Sequence, residues 1–160
     1  MASCLRRCIG CETLAEKEIL TRLKALISVM RREDGTGADP TCAEKVGACA
    51  EAHALVISLR KLLAQRVGLV NTSVLRLLRY LMHSTVMRAL VHAEWLDLFV
   101  ARSLEDGLLS ERVEALKLFD LAVQTDCASI SDAQARQLLR NKPTAWPSCL
   151  LLPPPSLRPC

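Results

Sequence analysis

Three cysteines near the amino terminus have a spacing that suits metal or cluster binding. Cys4, Cys8 and Cys11 follow the pattern Cys-x3-Cys-x2-Cys, which can hold an iron–sulfur cluster. That chemistry needs a large βα barrel, and the sequence predicts no strands. A zinc site would need a fourth ligand, for which the candidates are Cys42, Cys49 and His53. The simpler interpretation is reduced thiols in a flexible segment, so we expect no metal and no cofactor.

A second set of residues suits protein recognition. Arg76, Arg79, Tyr80 and His83 recur at positions i, i+3, i+4 and i+7 of a predicted helix, so they share one face. Arginine offers planar donors and tyrosine an amphipathic ring, and both are common anchors at interfaces. These four residues are the partner-binding candidates. The alternative interpretation is an ordinary solvated helix face.

Catalytic motifs are lacking in the sequence. The three histidines, at positions 53, 83 and 92, fit no metal or triad pattern. There is no glycine-rich phosphate loop and no Gly-x-Ser-x-Gly motif. We therefore expect a protein that is not an enzyme.

Composition narrows the class of protein further. The chain has 160 residues, enough for one domain, and 51% of them are hydrophobic. A net charge of +4 and only 3% aromatic residues argue against nucleic-acid binding. No apolar run approaches the roughly 18 residues of a membrane span, and no secretory signal begins the chain. A cytoplasmic location with reduced cysteines is therefore expected.

Helical periodicity and helix-breaking residues predict an all-α fold. No proline occurs between Thr41 and Lys142, whereas the last 18 residues contain most of the prolines. A capping box at Thr13 and Glu16 should begin the first long helix. The predicted organisation is a flexible Cys/Arg segment (1–11), a helix (12–32), a linker (33–41), an armadillo/HEAT-like helical domain (42–142) and a disordered proline-rich tail (143–160).

Within the helical domain, breaks in the periodic pattern separate several helices. Ser110 is predicted to cap one of them, and a capping box at Ser131 and Gln134 to begin the last. The predicted helices cover 43–66, 73–83, 85–92, 95–104, 111–124 and 132–141.

An internal repeat is suggested by two similar segments. Leu75-Arg76-Leu77-Leu78 recurs as Leu116-Lys117-Leu118-Phe119, 41 residues later. A period near 40 residues with two or three helices per unit is typical of HEAT and armadillo repeats. Such units stack on one another and need caps or neighbours at their ends.

Three ordered blocks of sequence resemble a known family. They are LRLLRYLM from Leu75, LDLFVARSLE from Leu96 and ERVEALKL from Glu111. In this order and with similar gaps they resemble the N-terminal armadillo-like region of the Rictor/Pianissimo family, over about residues 55–119. The family-motif residues, with structural roles, are Leu78, Asp97, Arg102, Glu111, Arg112 and Leu116.

The resemblance implies a non-catalytic scaffold subunit of TOR complex 2 that acts in TOR signalling through protein–protein binding. It implies the TOR kinase and the other subunits of that complex as partners, and it allows peripheral membrane association through the complex. Two alternatives stay open: a small metal-binding protein that uses Cys4, Cys8 and Cys11, and an inactive, truncated helical-repeat fragment.

Overall fold

The chain folds into α-helices, which confirms the predicted all-α class. The computed structural model describes residues 2–35, 37–66, 68–91 and 108–124. Within these ranges the regular elements are helices and a short 3-10 turn at Cys11–Thr13, with no β-strand. The helices are α1 (Ala2–Cys8), α2 (Glu16–Met30), α3 (Pro40–Gly47), α4 (Ala52–Gln65), α5 (Leu69–Leu81), α6 (85–91) and α7 (Leu109–Gln124).

The amino-terminal segment differs from the flexible one expected for 1–11. It forms α1 and the 3-10 turn, and the side chains of Leu5, Cys8 and Cys11 are fully buried. Leu5 and Cys8 lie three residues apart, so they share one helix face against α2 and α4. The cysteines here behave as small apolar core residues.

The start of α2 also differs from the prediction. The residue that caps α2 is Ala15, without a side-chain hydrogen bond, and Thr13 lies in the preceding 3-10 turn. The capping box at Thr13 and Glu16 therefore does not form. The predicted apolar stripe is confirmed, because Ile19, Leu23, Leu26 and Met30 are all fully buried.

The predicted linker at 33–41 is a hydrogen-bonded turn. Arg32 N donates to Gly37 O at 2.9 Å, and Asp39 N donates to Met30 O at 2.8 Å. Pro40 begins α3 rather than breaking a helix, since proline suits the first position, and the Asp39 carboxylate accepts a hydrogen bond from Thr41 N at 2.9 Å.

The predicted single helix at 43–66 is two helices. The chain turns between the end of α3 at Gly47 and the start of α4 at Ala52. At Gly47 the helix passes close to Ser84, whose side chain has no exposed surface. The Ser84 hydroxyl donates to Glu44 Oε2 at 3.0 Å, and Thr85 N donates to Glu44 Oε1 at 3.1 Å, so Glu44 of α3 holds the start of α6.

Helix α5 is the centre of the core. It contacts α2, α3, α4 and α7. The inward residues predicted from periodicity are all buried: Val74, Leu77, Leu78 and Leu81. The helix begins at Leu69, four residues before the predicted start, after Gly68 adopts a positive φ of 74°.

Helices α5 and α7 lie side by side and run in the same direction. Asn71 Nδ2 contacts Glu111 Oε1, the hydroxyls of Thr72 and Ser110 are 3.2 Å apart, and Arg76 contacts Glu114, with sequence separations of 40, 38 and 38 residues. A constant separation along both helices requires parallel packing. Stacking of units about 40 residues long produces this arrangement.

Several predicted features fall outside the described residues. These are the helices at 95–104 and 132–141, the capping box at Ser131 and Gln134, and the proline-rich tail at 143–160. Ser110 lies inside the first turn of α7, which begins at Leu109, so it is not the predicted cap. Among the described helices, none has the length and apolar character needed to cross a membrane.

We expect Gly47→Ala to lower the free energy of unfolding by about 2 kcal/mol. The new Cβ would press against Ser84 Oγ and lie 3.3 Å from Val86 Cβ. Ser84 cannot turn away without losing its hydrogen bond to Glu44. The measurement is urea unfolding followed by circular dichroism.

The matched control is Gly37→Ala. No heavy atom lies within 4 Å of a Cβ built there, and the φ of Gly37 is not positive. We expect a change below about 0.5 kcal/mol. Equal effects of the two substitutions would contradict the close approach of α3 to Ser84.

Candidate partner-binding face

The four residues predicted to form a partner-binding face lie on or just after α5. Arg76, Arg79 and Tyr80 belong to the helix, and His83 follows its end at Leu81. Their surroundings differ, because α7 packs beside this face.

Arg76 and Arg79 both contact one carboxylate on α7. Arg76 Nε and Nη2 each lie 3.1 Å from Glu114 Oε1, and Arg79 Nε lies 3.1 Å from Glu114 Oε2. The Glu114 side chain is 5% exposed, so the pairs lie at the interface of two helices. The face is therefore neither simply solvated nor wholly free for a partner.

Lys117 adds a third cation to the same carboxylate. Its Nζ lies 3.9 Å from Glu114 Oε1, one helical turn along α7. The side chains of Lys117 and Arg76 are 55% and 44% exposed, whereas that of Arg79 is 22% exposed. Three cations thus surround one buried anion, and two of them present much of their side chains to solvent.

Tyr80 is not the exposed anchor that the sequence suggested. The residue is 5% exposed and belongs to the core. The guanidinium carbon of Arg79 lies 5.1 Å from the centre of its ring, a cation–π contact. Tyr80 therefore helps to fix the position of Arg79.

His83 is half-buried in a cationic environment. Its backbone N–H donates to Tyr80 O at 3.3 Å. Burial lowers the pKa of the imidazole below its usual value, and the guanidinium groups of Arg79, Arg32 and Arg88 lower it further. These arginines come from α5, from the turn after α2 and from α6, so three parts of the chain place positive charge around His83.

The family-motif residues that are described support the junction of α5 and α7. Leu78 is fully buried, and Glu111, 1% exposed, accepts a hydrogen bond from Asn71 Nδ2 at 3.0 Å. Arg112 and Leu116 are half-buried on α7. Asp97 and Arg102 lie outside the described residues.

The amino-terminal cysteines do not form a metal site in the described part of the chain. Among described residues no group of three or more His, Cys, Asp or Glu side chains could hold a metal ion. Cys8 Sγ donates to Arg22 O at 3.6 Å, and burial raises the pKa of the Cys8 thiol to about 12. Burial also raises the pKa of Cys11. Since metals bind thiolates, these thiols are poor ligands.

The cysteines considered as a fourth ligand are also used within the chain. Cys42 Sγ donates to Asp39 Oδ2 at 3.3 Å, and Cys49 Sγ donates to Lys45 O at 3.1 Å. The metal role suggested for Cys4, Cys8 and Cys11 therefore gains no support from a fourth thiol.

Glu114 is the important residue that sequence reasoning missed. Nothing in the local pattern of α7 marks it, because its partners are 35 and 38 residues away. The one available signal was the repeat period, which places Glu114 opposite Arg76 when the two copies are aligned side by side.

Comparisons with known proteins give no match for this chain: no family model, no curated protein and no solved structure matches it. What the protein does must therefore be inferred from its own residues.

We expect Glu114→Ala to lower the free energy of unfolding by about 2 kcal/mol, because it leaves two arginines at a helix interface without their anion. The matched control is Glu18→Ala on α2. Glu18 pairs with Arg22 at 2.5 Å, but its own side chain is 50% exposed, so we expect a loss below about 0.5 kcal/mol. Urea unfolding of both variants provides the measurement, and equal losses would contradict a structural role for Glu114.

We expect the Cys8 thiol to resist alkylation in the folded protein. A pKa of about 12 in place of 9.0 lowers its thiolate fraction at neutral pH by about a thousandfold. Timed reaction with iodoacetamide, read by mass spectrometry of peptides, should show Cys4 modified well before Cys8. In urea the two should react alike. Rapid modification of Cys8 in the native protein would contradict its burial.

Proposed function

We propose that this chain is a non-catalytic scaffold that acts through protein–protein binding, as a Rictor-like subunit of TOR complex 2 in TOR signalling. The observation that carries the proposal is the parallel packing of α5 and α7 at a constant separation of 38 to 40 residues. This register supports a helical-repeat module, and such modules act by presenting extended surfaces to partners.

The family resemblance gains support from the structural roles of its motif residues. Leu78 from the first block and Glu111 from the third are both buried where α5 meets α7. Residues that hold two repeats together are those that a repeat family has reason to keep. The resemblance carries the assignment to TOR complex 2, and the packing carries only the helical module.

The surface beside Glu114 is the part of the described chain best suited to a partner. Arg76 and Lys117 keep 44% and 55% of their side chains exposed, and Arg79 is held by both Glu114 and Tyr80. Partly fixed cations lose less side-chain entropy on binding than free ones. Under this proposal the TOR kinase is a partner, the chain performs no chemistry, and it works in the cytoplasm or at a membrane through the complex.

An inactive helical fragment is the second candidate, and one observation favours it. Leu109, Leu69 and Leu108 are 79%, 57% and 51% exposed where α5 and α7 begin. Leu108 lies near Gly68, since its Cδ1 is 3.5 Å from a Cβ built there, so these leucines are neighbours. Exposed leucines of this kind favour self-association.

The test is co-precipitation of the tagged chain from cells, probed for the TOR kinase and for subunits of complexes 1 and 2. We expect the kinase and the complex 2 subunits, without subunits specific to complex 1. Circular dichroism and size exclusion of the purified chain establish that it is folded and not aggregated. Failure to recover complex 2 subunits with a folded chain would overturn the proposal, as would equal recovery of complex 1. Aggregation of the purified chain would favour the inactive fragment.

A further inference from the structure

Positive charge follows one face of the molecule from α7 across α5 to α6. Lys117, Arg76 and Arg79 surround Glu114 within 3.9 Å, and His83 lies four residues beyond Arg79. Arg32 and Arg88 act electrostatically on the same histidine. We name this set the cationic ridge: Arg32, Arg76, Arg79, His83, Arg88 and Lys117.

The anion inside the cationic ridge does not neutralise it. Glu114 is one negative charge against the three cations that contact it, and its side chain is 5% exposed. The carboxylate thus lies beneath the surface, and the cations lie above it. Glu44 is the acidic residue nearest in sequence to the start of α6, and it is occupied by hydrogen bonds from Ser84 and Thr85.

The cations of the ridge are partly held in place. The Nε atom of Arg76 and that of Arg79 are engaged by Glu114, which directs the planar groups and leaves further N–H donors available. Such arginines suit directed, bidentate hydrogen bonds to carboxylates. A fixed planar donor offers less advantage against the diffuse charge of a lipid surface or a nucleic-acid backbone.

The dimensions of the ridge suit an extended peptide. Arg76 and His83 are seven residues apart, which corresponds to about 10 Å along α5 at the α-helical rise. An extended peptide spans that distance with about three residues, so alternate carboxylates would meet successive cations.

We propose that the cationic ridge is the docking surface for an acidic peptide segment of a partner protein, bound in extended form with its carboxylates on the arginines. This inference rests on the proposed protein-binding function and names the chemistry of the partner. It does not depend on the partner's belonging to TOR complex 2.

The test uses the purified chain and a fluorescent peptide of about eight residues that alternates glutamate with glycine, sufficient to follow α5 in extended form. Fluorescence anisotropy measures its binding, and a glutamine-for-glutamate peptide is the neutral control. We expect binding of the acidic peptide that weakens steeply with added salt, and no measurable binding of the neutral peptide.

The informative variant is Arg76→Gln with Lys117→Gln, because it removes the two most exposed cations at Glu114 and leaves Arg79 to pair with the carboxylate. The matched control is Lys17→Gln with Lys24→Gln, which removes the same charge from exposed positions on α2. We expect about a tenfold loss of peptide affinity in the first variant and less than a twofold change in the second.

A second pair keeps the test decisive if the first variant unfolds. Arg32→Gln with Arg88→Gln leaves the contacts of Glu114 untouched, and we expect about a fivefold loss of affinity from it. Circular dichroism of each variant confirms the fold before binding is measured.

Three results would overturn the proposal. One is an equal loss of affinity from the variant at Lys17 and Lys24, which would mean that net charge alone attracts the peptide. Another is equal binding of the neutral peptide. The third is tighter binding of single-stranded DNA or of vesicles with about one fifth phosphatidylserine, which would assign the surface to another class of partner. Because the purified chain is used, failed co-precipitation of TOR complex 2 leaves this result interpretable.

Discussion

Burial of α5 is the constraint on which the rest of the structure depends. This helix contacts α2, α3, α4 and α7, and its leucines at 75, 77, 78 and 81 are fully buried. A helix surrounded on several sides has little polar surface left, so Arg76 and Arg79 occupy the remaining exit to solvent. The position of every neighbouring helix is therefore set by how it covers α5, and the site beside α7 is a consequence of that packing.

The ion pairs at Glu114 contribute to specificity as well as to stability. Desolvation of a carboxylate costs several kcal/mol, which its attraction to partly exposed arginines offsets only in part. An apolar residue at position 114 could pack as well in energy, but it would not select one register. Two arginines on α5 and one carboxylate on α7 permit a single alignment of the helices, and a slip by one turn would leave a buried charge without a partner.

Much of the fold could be predicted because periodicity reports burial locally. The stripes of α2 and α5 follow from residue spacing alone, and so does the all-α class. Other features depend on distant contacts. The division of 43–66 at Gly47 reflects the approach of Ser84, and the burial of Tyr80 and the pairing of Arg76 reflect the position of α7. The segment at 1–11 was predicted to be flexible because its cysteines look like ligands, whereas burial treats them as apolar side chains.

The contact of Glu44 with Ser84 and Thr85 bears on the order in which the chain can fold. In a simple repeat array each unit is complete when its neighbour is present, so folding can follow synthesis unit by unit. Here a carboxylate of α3 waits for hydrogen-bond donors that are 40 and 41 residues later in the chain. During synthesis, α3 therefore leaves the ribosome long before its partners, and the first half of the protein becomes fully ordered only after the start of α6 has emerged.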